Sequence, residues 1–95
     1  MTDNSENTTG EETLLEFPCS FPIKVMGKES DDFRALARTL VEKHSGPLSD
    51  DAVQFAPSRN GNFVSITFTI NATSQQQLDD IYNEVTANDD VLMAL

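Results

Sequence analysis

The chain has no tryptophan, one tyrosine, one histidine, one cysteine and only six basic residues against sixteen acidic ones. Each shortage removes a class of function. Cys19 has no second cysteine to pair with, which suits a reducing compartment, and no histidine, basic cluster or helix start beside it in sequence makes it a nucleophile. A net charge of −10 repels the phosphate backbone and anionic lipids alike, so neither nucleic acid nor a membrane surface is an expected partner. No apolar run approaches ~18 residues, and the first residues lack the basic and apolar regions of an export signal; the chain reads as cytoplasmic. With 95 residues there is room for one domain, which buries little more than ~60% of its unfolded surface and leaves no space for a large enclosed active site.

Catalytic patterns are missing too. There is no His/Cys/Asp set, no phosphate-cradling glycine loop and no metal-ligand spacing, so no cofactor or metal is expected and the chain is not read as an enzyme. Acid pairs recur at Asp31-Asp32, Asp50-Asp51, Asp79-Asp80 and Asp89-Asp90, but adjacent residues on a helix do not face one another and cannot share a proton.

What is present is clear periodicity. Residues 1–13, with Asp3, Glu6, Glu11 and Glu12 and hardly an apolar side chain, read as a disordered acidic tail, and residues 14–95 as the single domain. In "FPIKVM", Phe21, Ile23 and Val25 alternate with Pro22, Lys24 and Met26, the period of a half-buried strand that Pro22 begins, with Lys24 turned from the core. Ser30 caps a helix whose apolar stripe is Phe33, Leu36, Ala37, Leu40, Val41 and His44 and which stops at Gly46-Pro47. The runs around Val53 and Phe55 and from Val64 to Ile70 are strands joined at Asn60-Gly61, the signature of a type I′ hairpin. Ser74 with Gln77 forms a capping box ahead of Leu78, Ile81, Tyr82 and Val85, and "DVLMAL" is a last short strand.

Strand, helix, strand, strand, helix, strand is the order of the split βαβ arrangement. It predicts an α+β, βαββαβ ferredoxin-like fold with a four-stranded antiparallel sheet and both helices on one face. The other face stays bare. Lys24, Met26, Gln54, Ser65, Thr67 and Thr69 fall on it by parity, a mostly polar surface with a cation near its middle. The fold invites comparison with RNA-recognition domains, but of their stacking positions only Phe63 carries an aromatic, and Lys24 stands where a base would stack.

Three stretches carry a family resemblance: "LLEFPCSFPIKVMG", "PSRNGNFVSITFTINATSQQQLDDIYNEV" and "VLMAL". From Leu14 to Leu95 the chain resembles the YbeD-like family of small uncharacterised bacterial proteins. The resemblance implies a cytoplasmic domain similar to the ACT-type regulatory modules, which bind small effectors at shared sheet interfaces, and it brings no catalytic residues. In such modules a glycine-bearing loop after the first strand faces the ligand, and Gly27 in "MGKESD" stands at the matching place. The candidate interaction surface is therefore Lys24, Met26, Gly27, Thr67 and Thr69. A small effector, a protein partner or a second copy in a homodimer would dock there, making the chain a regulatory or interaction domain. Two alternatives stay open: a small enzyme whose site is completed at a dimer interface, and a structural adaptor that takes no ligand. Should the sheet face prove inert, the acids of the second helix, Asp79, Asp80 and Glu84, are the next surface to consider.

Overall fold

The computed structural model describes residues 15–95; the acidic stretch 1–13 lies outside them. The elements are β1 (Cys19–Lys28), α1 (Asp31–Ser45), a 3-10 turn (Asp50–Ala52), β2 (Val53–Pro57), β3 (Phe63–Ala72), α2 (Gln75–Thr86) and β4 (Val91–Ala94). All strand pairs are antiparallel and the sheet order is β2-β3-β1-β4, the ferredoxin-like α+β arrangement. The two ten-residue strands lie side by side at the centre, with Ile23 opposite Phe68 and Val25 opposite Ile66.

Parity decides which side is dry. Val64, Ile66, Phe68, Ile70 and Ala72 of β3 and Ile23 and Val25 of β1 are buried, together with Phe33, Ala37, Leu40 and Val41 of α1 and Leu78, Ile81 and Val85 of α2. One apolar layer thus lies between the sheet and both helices, and no polar or charged side chain is buried among the described residues. Each fully buried Ile, Leu or Phe contributes roughly 1.5–3 kcal/mol. Both helices start at a serine cap: Ser30 Oγ accepts from Phe33 N–H at 2.9 Å, and Ser74 Oγ from Gln77 N–H at 3.1 Å. Gln77 reaches back past the cap, its Oε1 accepting from Thr73 N–H at 2.8 Å while its Nε2 donates to the His44 carbonyl at 3.0 Å, so one side chain ties the start of α2 to the end of α1. Gly46 closes α1 at φ 81°, its N–H bonded to Glu42 O.

Two details differ from the sequence reading. Pro22 does not begin β1; the strand starts three residues earlier, at Cys19. Lys24 turns its N–H and C=O toward Leu95, at 3.0 and 2.8 Å, and the pleat gives Pro22 the same direction. The short fourth strand pairs no residue that far along, so the missing N–H falls on an open edge, where proline blocks further pairing.

The hairpin also closes differently. It is centred on Asn60-Gly61, but Gly61 N–H donates to Ser58 O at 3.0 Å, and Ser58 N–H to Phe63 O at 2.8 Å encloses a four-residue loop instead of a two-residue type I′ turn. Competing partners explain it: Ser58 Oγ accepts from Phe63 N–H at 3.1 Å, and the Asn62 carbonyl accepts from Glu29 N–H at 2.9 Å, anchoring the loop to the end of β1. Gly61 still has φ +77°, with open space where a Cβ would stand. Gly61→Val is therefore expected to cost about 1–2 kcal/mol of conformational strain alone. Urea titration checks it, and unchanged stability would show that the loop readily adopts another conformation.

Candidate functional site

The sheet face away from the helices is the candidate site, and the register lays it out in rows. Gln54, Thr67, Lys24 and Leu95 lie side by side across the four strands, and Ala56, Ser65, Met26 and Met93 form the adjacent row. Phe63 pairs with Lys28 in β1 beyond them. Phe63, Met93 and Leu95 are 44%, 51% and 61% exposed. Met26, Ala56, Ser58, Phe63, Val64 and Ser65 line a shallow apolar depression of about 200 Å³ at this face.

Of the residues singled out from sequence, Lys24, Met26, Thr67 and Thr69 share this surface. Gly27 does not. It is a buried residue of β1 on the core side, inside the strand and not in a loop, and an added Cβ would stand 2.4 Å from Phe33 Cζ, 2.5 Å from Cε1 and 2.7 Å from the Asp90 carbonyl oxygen. Its hydrogen lets the Phe33 ring close over the end of the sheet. Phe63, Met93 and Leu95 were absent from the sequence selection. Phe63 has the parity of Ser65 and Thr67 and was readable; Met93 and Leu95 were not, because a register shift between Met26 and Gly27 sets which side of the short β4 faces out.

The charges divide between the two sides of the molecule. Arg34 pairs with Glu29 at 2.7 Å, Arg38 with Glu42 and Asp50 at 3.1 Å each, and Lys43 with Glu84 at 3.0 Å. Lys24, Lys28 and Arg59 have no carboxylate within ion-pair distance among the described residues, and no acid has outward parity on β1, β2, β3 or β4. A second depression, of about 500 Å³, opens at the start of α1 and is lined by Lys28, Ser30, Asp32, Phe33, Leu36, Asp89, Asp90 and Leu92. Three carboxylates around one ammonium make it unfavourable for an anionic ligand.

The acids of α2 are already engaged. Asp79 and Asp80 accept from Gln75 and Gln76 at 3.1 and 2.8 Å, and Glu84 meets both His44 Nε2, at 3.1 Å, and Lys43. The hydrogen bond to His44 first, and that to Lys43 second, hold the Glu84 carboxyl below its ordinary value. A carboxylate depressed in the folded state adds stability that is complete above its unfolded value and is lost as pH falls through the folded one. Glu84→Gln is expected to flatten the loss of stability on acidification below about pH 4.3, seen in melting curves from about pH 3 to about pH 6. A profile that overlays the parent's would show the helix-to-helix contact to be idle.

No group of three or more His, Cys, Asp or Glu side chains among the described residues is placed to hold a metal ion, and no described helix is long and apolar enough to cross a membrane. Residues 12–95 match the family described as "Protein of unknown function (DUF493)". The chain is 42% identical over 84 residues to a UPF0250 protein of Paraburkholderia phytofirmans, covering 88% of this chain and 94% of that one. It is 40% identical over 85 residues to that of Nitrosomonas europaea, covering 90% and 98%, and 38% identical over 97 residues to that of Ralstonia nicotianae, covering both fully. The solution structure of protein HP0495 from H. pylori superposes with a TM-score of 0.69 at 20% identity over 85% of each chain, a likeness of fold.

Proposed function

The chain belongs to the YbeD-like family of unknown function, described as DUF493, and from that premise we propose that it is a cytoplasmic interaction domain that docks a protein partner on its open sheet face. One observation carries the reading: the face left uncovered by the helices presents exposed Phe63, Met93 and Leu95 and half-buried Met26 beside Lys24, with no acidic side chain on the four strands, on a chain of net charge −10. Exposed apolar clusters rimmed by polar groups mark contact surfaces. An adaptor role, with no small molecule, fits this surface better than an effector-binding one, because Gly27 is committed to packing against Phe33 and the depression beside it is acidic. Among the described residues no set of side chains for catalysis faces either surface.

A photo-crosslinking residue placed at exposed Thr69 in the native bacterium tests the proposal against the same residue at exposed Gln76 on α2. A discrete protein adduct at Thr69 and none at Gln76 is expected. Adducts at Gln76 alone, or at neither position, would overturn it.

A further inference from the structure

Resting on that reading, we infer that the partner is presented as a short acidic segment with apolar anchors, a carboxylate meeting Lys24 and its apolar side chains covering Met26, Met93 and Leu95. Three observations lead there.

The first is the sorting of charge. The three basic side chains on the helix side are each matched by a carboxylate, whereas Lys24 has none within ion-pair distance among the described residues, although the chain carries sixteen acidic residues. A sheet face without acidic side chains is the surface of so acidic a protein most favourable to an acidic segment.

The second is size. Three strand spacings of ~4.8 Å by the ~33 Å length of the ten-residue central strands bound the face at about 480 Å². An extended strand or a helix of a few turns fits this surface, whereas a two-fold contact between copies would set lysine against lysine.

The third is the arrangement along β1. Lys24 and Met26 alternate with the core-facing residues, so an apolar contact adjoins the cation on the same side of the strand, with Met93 flanking Met26 on β4. A segment that sets an acid beside apolar residues matches that order. Single-stranded RNA is the competing ligand for a lysine on a sheet, but among the described strands Phe63 is the only aromatic with outward parity, and successive bases need successive stacking platforms.

A random peptide display library of roughly twelve-residue segments, selected on the biotinylated full chain, tests the inference. Enriched peptides are expected to carry net negative charge with interspersed apolar residues. Once synthesised, they should shift the backbone amide resonances of Lys24, Met26, Thr67 and Met93, bind at least about tenfold more weakly to Lys24→Glu, and keep affinity within about twofold for Lys24→Arg. Binding should also weaken as salt rises from about 50 to about 300 mM. Basic or uncharged peptides that shift the same amides, or affinity indifferent to charge reversal, would overturn the acidic partner while leaving a docking face. A uridine oligonucleotide shifting those amides would assign the face to RNA. Concentration-dependent shifts without peptide would assign it to a second copy. Shifts confined to the helices, or no enrichment over bare support, would remove the docking face and this inference with it.

Discussion

Gly27→Ala is expected to lower stability by about 3 kcal/mol, at the upper end of what overpacking a core costs, and Gly27→Val by more. The Cβ would lie 2.4–2.5 Å from the Phe33 ring and 2.7 Å from the Asp90 carbonyl, well inside contact distance on two sides. Neither neighbour can yield easily. Phe33 is 5% exposed and held in the first turn of α1 by the Ser30 cap, and the carbonyl is backbone in the turn that leads into β4. Relief therefore needs α1 to lift or β4 to separate from β1. Urea unfolding of the purified variant measures the loss. A glycine kept only to admit a ligand would tolerate alanine, so a change below about 0.5 kcal/mol would return Gly27 to the list of binding residues.

Phe68→Ala carries the largest expected cost, about 3–5 kcal/mol. Phe68 has no exposed surface and is the largest of the fully buried side chains. It sits near the middle of β3 with Ile23 on one side and Val53 on the other, so the register places apolar neighbours around its ring on both flanking strands. Those neighbours are pinned by the backbone ladder and cannot collapse into the space left. A domain of this length has only some 5–15 kcal/mol in total, so the variant should be close to unfolded at physiological temperature. The shift of the guanidinium midpoint at unchanged slope gives the value. A loss under about 1.5 kcal/mol would mean that the core repacks freely and that the strict alternation on β3 does not set it.

How much of this was legible depends on what each residue advertises. The alternation from Val64 to Ala72 is a direct record of burial, and it placed the core and the bare face together; serine caps and Gly46 bounded α1 correctly. Glycine advertises little. A hydrogen in place of a side chain serves a turn or a close approach equally well, and the atom that needs the room at Gly27 belongs to Phe33, six residues on. Asn60-Gly61 marked the centre of the hairpin, but not the bonds by which Ser58 and Glu29 draw the loop closed. Phe55 shows a third limit. Its parity is core-facing, yet it is 43% exposed because β2 lies at the sheet edge, and the Arg34 guanidinium, 4.3 Å from the ring centroid, lies over it. Sequence periodicity assigns a side to each residue, but how far the helices reach over that side is a property of the assembled fold. The four residues of β4 were too few to reveal a period, which hid Met93 and Leu95 from the candidate surface.

If the open sheet face serves binding and not folding, Lys24→Glu separates the two, because Lys24 is exposed in the row with Gln54, Thr67 and Leu95 and makes no ion pair among the described residues. Urea unfolding and the crosslinking yield at Thr69 are measured on the same variant. Stability within about 1 kcal/mol of the parent, as for most exposed substitutions, is expected together with a severalfold drop in adduct. A loss of several kcal/mol, or an adduct as abundant as the parent's, would contradict that separation.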